Sequence, residues 1–187
     1  KTYYWKIDEV NEADAIPVWG GQVWSFTVQE FVVVEDFESY TDDVDAGTTI
    51  FDAWLDGWVN ETGSTVGYFD APFAEQTIVR SGRQSMPLFY DNTDFSVSET
   101  EYTLSQDWTT NGIQSLSLYF YGDPQNDDAQ LYVKINDTKI LYDGDAADMA
   151  RPAWQVWNID LSDVRPGLSN VTALSIGVEG AGATGVV

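Results

Sequence analysis

The stretch Val32-Val33-Val34-Glu35-Asp36-Phe37-Glu38-Ser39-Tyr40 passes from a β-branched run directly into carboxylates on both sides of a phenylalanine. Val and Phe favour a half-buried strand. Alternation along such a strand puts Asp36 and Glu38 on one face and Phe37 on the other. Two neighbouring carboxylates on one face repel each other, so the end of this strand is expected to require a cation or strong hydrogen-bond donors.

Composition limits the possible partners. The chain has 187 residues, with 31 acidic and 8 basic side chains and a formal net charge of −23. This is enough chain for one ordinary domain, or for one domain plus a fragment, and 43% hydrophobic residues can supply a core. The charge argues against nucleic acid and anionic membrane surfaces as partners, because both require basic patches, and no apolar run is long enough to span a bilayer. We therefore expect an extracellular or cell-surface protein.

Two residue types are absent, and both absences restrict the chemistry. Without Cys the chain makes no disulfide or thiolate metal site, and without His it lacks the commonest general base. An enzyme would have to use carboxylates, Tyr or Lys. Among 31 carboxylates, a pair at glycosidase spacing arises by chance, and nothing in the sequence supplies the raised pKa that a general acid needs. We therefore interpret the chain as non-catalytic.

Short alternating segments separated by Gly, Asn and Asp predict an all-β sandwich. The clearest segment is 115–121, with Leu116, Leu118 and Phe120 on one face and Ser and Tyr on the other. Residues 131–135 and 139–142 predict a hairpin, and further strands are expected at 66–69, 76–79, 84–90, 99–104, 154–161 and 174–178. No stretch has the apolar periodicity and caps of an amphipathic helix.

Residues 1–29 are predicted to form a separate hairpin and linker. Alternating segments at 2–10 and 22–28 enclose a loop with Pro17 and Gly20-Gly21. The pattern resembles the last two strands of a fibronectin type III-like domain. The main domain is then expected to span residues 30–187.

Three motifs, in this order, resemble the jelly-roll carbohydrate-binding modules of large secreted planctomycete-type bacterial proteins. They are Glu35-Asp36-Phe37-Glu38-Ser39-Tyr40, Arg80-Ser81-Gly82-Arg83-Gln84-Ser85-Met86 and Trp154-Gln155-Val156-Trp157-Asn158-Ile159-Asp160-Leu161-Ser162-Asp163. The resemblance covers residues 32–180. It implies a jelly-roll β-sandwich that binds polysaccharide or another glycan outside the cell.

The resemblance also implies a structural Ca²⁺. Glu38 matches the first-strand carboxylate ligand, Asp36 is a possible second ligand, and the carbonyl groups near Ser81 and Arg83 match the turn ligands. The alternative is that both carboxylates are simply solvated. The family pattern ends in a strand that carries one more Asp ligand, and this chain ends about where that strand begins.

We therefore expect the final strand to be missing, and three explanations remain open: truncation of the chain, cleavage, or a strand supplied by a neighbouring chain. A missing strand leaves an exposed sheet edge. The third explanation predicts a different function, a structural subunit of an extracellular filament, surface layer or matrix, assembled head to tail from copies of this chain by strand exchange.

Aromatic residues make up 14% of the chain, more than packing alone is expected to use. Sugar C–H groups stack on aromatic faces, and Asp, Asn, Gln and Arg bind sugar hydroxyls. The candidates for glycan contact lie in or near loops, or opposite the apolar face of a strand. They are Trp54, Trp58, Tyr90, Tyr119, Tyr121 and Tyr132. For any single one of them, packing between strands is the commoner role.

Overall fold

The computed structural model describes residues 2–13, 15–27 and 31–187. They form two compact units that divide between Val34 and Glu35, whereas the predicted boundary at residues 29 and 30 lies outside the described residues. The fold is all-β, as predicted, and the α-helices in the described part are single turns of 4 residues. None of the described helices is long and apolar enough to cross a membrane.

In the first unit, the described residues 2–13 and 15–27 form paired strands and bury no core. Strand β1 (Thr2–Trp5) pairs antiparallel with β4 (Trp24–Thr27), and β2 (Glu9–Val10) pairs with β3 (Val18–Trp19). Trp5 stacks on Trp24 with ring centroids 6.0 Å apart, and the described residues from 2 to 27 are all exposed. Cross-strand ring contacts therefore stabilise this ribbon in place of a buried interior.

The second unit has ten strands in three sheets, with helices α1 (Ile50–Ala53) and α2 (Gly57–Asn60) and 3₁₀ turns at Thr110–Gly112, Ala146–Ala150 and Ser162–Asn170. The strands are β5 (Trp54–Leu55), β6 (Ser64–Val66), β7 (Leu88–Asp91), β8 (Val97–Gln106), β9 (Ser115–Tyr121), β10 (Gln130–Ile135), β11 (Thr138–Leu141), β12 (Trp154–Asp160), β13 (Val171–Glu179) and β14 (Thr184–Val186). The sheets have the orders β11-β10-β13-β8-β5, β14-β7-β6 and β12-β9.

Most of the predicted strands of this unit are present. The segment 115–121 is a strand as predicted, with Phe120 buried and Tyr119 exposed. The predicted hairpin is also confirmed, and it turns at Asn136, whose φ is 51°. Asn tolerates this left-handed conformation better than most residues do. Residues 76–79, in contrast, form no strand.

The stretch around Glu35 is not a strand, so that prediction is wrong. Phe37 has a φ of 62°, which an extended chain does not adopt. Glu35 Oε1 accepts the N–H groups of Asp36 at 2.9 Å and Phe37 at 2.6 Å, and Asp36 Oδ1 accepts that of Glu38 at 3.1 Å. These local hydrogen bonds compete with those of a sheet and fold residues 35–38 into a turn. Asp36 and Glu38 therefore do not share a strand face.

The core is centred on the five-stranded sheet. Strands β10 and β13 have neighbours on both edges and are buried along most of their length. Tyr132 lies over Gly177 so closely that a Cβ at position 177 would stand 2.3 Å from Cζ of the Tyr132 ring. A glycine is therefore required where the largest side chain of β10 crosses β13.

Strand β14 is held along both edges. One edge pairs with β7, and the other meets the loop between β9 and β10. Asn126 Oδ1 accepts the Val186 N–H at 2.8 Å, and its Nδ2 donates to the Val186 carbonyl at 2.8 Å. Asp127 Oδ2 accepts the Thr184 N–H at 2.9 Å. The loop thus covers this edge of β14 in place of a further strand.

Candidate functional site

A cleft of about 290 Å³ lies between α2, β6 and the loop from β7 to β8. Its volume is near the lower end of the range for small-molecule sites, about 300–1,000 Å³. Aromatic, hydroxyl and carboxylate side chains form its walls. They include Trp58, Phe95, Thr62, Thr93, Asp91 and Asp94.

Trp58 is fixed at the mouth of this cleft by Asp56. The carboxylate of Asp56 is buried and accepts the backbone N–H of Trp58 at 3.1 Å and that of Val66 at 2.8 Å. It therefore caps α2 and joins it to β6. The Trp58 side chain is 81% exposed and that of Phe95 is 45% exposed. Two large aromatic side chains beside one cleft on a fixed backbone are available for stacking.

The floor of the cleft is backbone, because two glycines allow its segments to approach closely. A Cβ at Gly57 would stand 2.1 Å from the Thr62 carbonyl oxygen, and one at Gly63 would stand 2.0 Å from the Asp91 carbonyl oxygen. No other residue fits at either position without moving the chain. The glycines therefore set the depth of the cleft.

Asp91 contributes a charged group to the wall. Its Oδ1 accepts the Thr93 hydroxyl at 2.5 Å and the Thr93 N–H at 3.0 Å. The hydroxyl and then the backbone hydrogen bond hold the pKa of Asp91 below its ordinary value. Asp91 is therefore ionised at neutral pH, and its Oδ2 has no hydrogen-bond partner among the described residues.

Trp54 is not a surface platform, and that prediction is wrong. Its side chain is only 1% exposed and stacks on Tyr102 with ring centroids 5.1 Å apart. Phe37 covers another part of the ring at a centroid distance of 6.0 Å. Pairing of the short strand β5 with β8 draws Trp54 into the core, which local composition does not reveal.

Tyr90 and Tyr132 are also core residues, at 2% and 1% exposure, and the prediction that they contact ligand is wrong. Tyr90 lies beneath the β9–β10 loop and donates to the Asp127 carbonyl at 3.3 Å. Tyr132 has the Lys139 ammonium 3.8 Å from its ring centroid and donates to Glu99 at 2.6 Å. Long charged side chains thus cover a strand face that the sequence pattern predicts to be open.

Tyr119 and Tyr121 lie on the outer face of β9 and are not among the residues that line the cleft. Tyr119 is 43% exposed, but the guanidinium of Arg80 lies 4.6 Å from its ring centroid. Tyr121 is half-buried and meets Trp154 edge to face. Of the six predicted aromatics, Trp58 alone is in the cleft.

The structure adds Phe95 and Asp94 to the predicted residues. Both lie in the loop from β7 to β8, which the sequence marks only as a polar segment between two strands. An exposed Phe next to Asp in such a loop is a weak signal, because single exposed apolar residues are common. Phe95 becomes a candidate because it lines the same cleft as Trp58, and that position depends on the tertiary fold.

Of the four predicted metal ligands, the structure joins Glu38 to Arg83. Glu38 Oε1 accepts the backbone N–H groups of Arg83 at 2.7 Å and Gln84 at 3.2 Å, and Oε2 accepts Arg83 Nε at 3.0 Å. Asp36 and Ser81 are exposed. Glu38 therefore lies in a cradle of N–H donors that satisfies its charge.

These residues do not fit a calcium site as they lie, since both Glu38 oxygens already accept hydrogen bonds from N–H donors. Calcium therefore stays a prediction of the resemblance. A melting temperature that rises in calcium and falls in EDTA would support it, and Glu38→Ala would then remove the difference.

The Glu38 cradle predicts a pH dependence of stability. Hydrogen bonds from the Arg83 backbone and then from its guanidinium lower the pKa of Glu38 from its ordinary value of 4.5. A pKa that is lower in the folded chain stabilises the fold above pH 4.5, and this contribution disappears as the pH falls toward the folded value. We expect Glu38→Gln to flatten the fall in melting temperature below pH 4.5.

The control for this prediction is Glu61→Gln, at an exposed glutamate outside the turn. It is expected to keep the acid dependence of the unaltered protein. Identical pH profiles for Glu38→Gln and the unaltered protein would contradict the role of the cradle.

Comparison of the sequence with family models and with curated proteins finds no match.

Proposed function

We propose that the second unit is a non-catalytic, extracellular glycan-binding module with the jelly-roll fold, and that the cleft beside Trp58 is its binding site. The observation that carries this proposal is the exposed indole of Trp58, whose backbone N–H is held by the buried Asp56 and which lines the cleft together with Phe95. A sugar ring stacks its C–H groups on such faces. Asp91 and Asp94 then accept hydrogen bonds from its hydroxyls.

The strand order supports a jelly roll. The chain crosses between sheets several times: β8 and β10 belong to the five-stranded sheet, whereas β9 between them pairs with β12. β13 returns to the five-stranded sheet, and β14 joins β7 and β6. Repeated crossing between sheets is typical of Greek-key sandwiches, of which the jelly roll is one.

The charges in the molecule support a binding role over a catalytic one. A glycosidase needs one carboxyl group that keeps its proton near neutral pH. Wherever the pKa of a described carboxyl clearly departs from its ordinary value, it is lowered. These groups are Asp8, Glu38, Glu75, Asp91, Asp107 and Asp160.

Trp58→Ala is the test. Loss of the indole is expected to weaken binding to polysaccharide at least about tenfold, because a central aromatic anchor carries much of the binding energy of such a site. The free energy of unfolding should change by less than about 0.5 kcal/mol, because the side chain is exposed. Pull-down on a panel of insoluble polysaccharides measures binding, and urea unfolding measures the free energy of unfolding.

Trp19→Ala is the matched control, because Trp19 is an exposed tryptophan of the first unit. It should bind as the unaltered protein does. The proposal fails if no polysaccharide is retained, or if Trp58→Ala is retained as well as the unaltered protein.

A second candidate is the structural subunit assembled by strand exchange, and the two-stranded sheet favours it. β9 pairs with β12 along one edge, and among the described residues no strand pairs with its other edge. Such an edge can accept a strand from a neighbouring chain. Sedimentation over a range of concentrations tests this function, and a monomer at every concentration would contradict it.

A further inference from the structure

The cleft beside Trp58 carries negative charge. Among the described residues that line it, Asp91 and Asp94 are acidic and none is basic. Hydrogen bonds from Thr93 keep Asp91 ionised but engage its Oδ1, and Asp94 has no hydrogen-bond or ion-pair partner among the described residues. Two carboxylates thus face one small cleft without a cation of the protein to balance them.

The aromatic side chains of the cleft also favour a cationic ligand. The face of an indole carries negative potential and attracts ammonium groups. An exposed Trp with a neighbouring Phe and two carboxylates combines the features by which proteins recognise organic cations. A calcium ion would gain nothing from the rings, because it prefers a shell of oxygen ligands.

We infer that the cleft selects sugars that carry a free amino group, such as the deacetylated hexosamine units of a polysaccharide. This inference rests on the proposed glycan-binding function and names its ligand class. The sugar ring stacks on Trp58, and its ammonium group lies against Asp91 and Asp94. An acidic sugar is repelled by the same carboxylates and by the net charge of −23.

The experiment compares three short oligosaccharides of equal length and linkage, made of glucosamine, N-acetylglucosamine or glucose. Binding to the full chain is measured by titration calorimetry at about pH 6, where an amine is protonated and an Asp side chain is ionised. The glucosamine oligomer is expected to bind about tenfold tighter than the other two, from ion pairing and cation–π attraction together. Added salt should reduce this advantage, because it screens exposed charges.

Two variants assign the effect to the cleft. Asp94→Asn and Asp91→Asn should each weaken glucosamine binding several-fold and weaken glucose binding less, because the amide loses the negative charge but still bonds to hydroxyls. A chain of this net charge also attracts any polycation. Asp137→Asn, at an exposed position in the β10–β11 turn, therefore serves as the control and should bind glucosamine as the unaltered protein does.

The outcomes separate this inference from the proposed function. If glucose oligomers bind through Trp58 and glucosamine binds no tighter, glycan binding stands and the amino-sugar inference is wrong. If Asp137→Asn weakens glucosamine binding as much as Asp94→Asn does, the attraction is general and the inference is again wrong. If no oligosaccharide binds and Trp58→Ala changes nothing, the proposed function itself fails.

Discussion

Replacing Trp54 with alanine is expected to lower the free energy of unfolding of the second unit by about 3–5 kcal/mol. The indole is almost fully buried, lies nearly parallel to the Tyr102 ring at an interplanar angle of 19°, and also contacts Phe37. Truncation removes these contacts and leaves a cavity beside the rings of Tyr102 and Phe37. Urea unfolding followed by far-UV circular dichroism measures the loss.

Trp58→Ala is the matched comparison, because the two tryptophans are four positions apart in one segment. We expect each variant to affect one property: Trp54→Ala lowers stability, and Trp58→Ala weakens binding. If Trp54→Ala does not fold, Trp54→Phe keeps part of the packing and should show a smaller loss of the same kind. Equal stability of the two alanine variants would contradict the buried position of Trp54.

The second large effect is expected at Asn126. Its side chain makes three hydrogen bonds to main-chain groups, with the N–H and carbonyl of Val186 and with the Met149 carbonyl at 2.7 Å. Asn126→Ala leaves these groups without partners, at an expected cost of about 1–3 kcal/mol. It also exposes the outer edge of β14 to pairing with another chain. Faster hydrogen exchange at the Val186 amide and concentration-dependent association would report the two effects.

Two further variants sharpen this test. Gln125→Ala removes an exposed neighbouring side chain and should leave both measurements unchanged. Asn126→Asp keeps the acceptor for the Val186 N–H but loses both donated bonds, so it should protect that amide and still lower stability. If the Val186 amide exchanges at the original rate in Asn126→Ala, the loop does not close this edge.

Strand prediction succeeds where local signals and tertiary structure agree. The alternation of β9 and the turn at Asn136 depend on neighbours within a few residues, and both are in the structure. The strand prediction for the stretch around Glu35 is wrong, and the reason is also local. Its carboxylates accept nearby backbone N–H groups, and this preference overrides the strand propensity of the valines before it.

The residues of the candidate cleft are harder to predict, because exposure is a tertiary property. Trp54 and Trp58 have similar sequence surroundings, yet pairing with β8 buries the first and a single-turn helix presents the second. Tyr132 has the alternation of a one-sided strand, but Lys139 from the next strand covers it. Phe95 becomes a candidate only because the fold brings its loop to the cleft that Trp58 also lines. Each of these outcomes depends on residues distant in the sequence.

The stacked Trp5 and Trp24 rings give the first unit an optical signature of its own. Two indoles with centroids 6.0 Å apart couple their electronic transitions, and this produces a paired band in circular dichroism. A ribbon of this size is marginal in water, so its band should fade before the signals of the second unit do. A melting curve of the whole chain is then the sum of two transitions, and the wavelength of observation decides which one is seen.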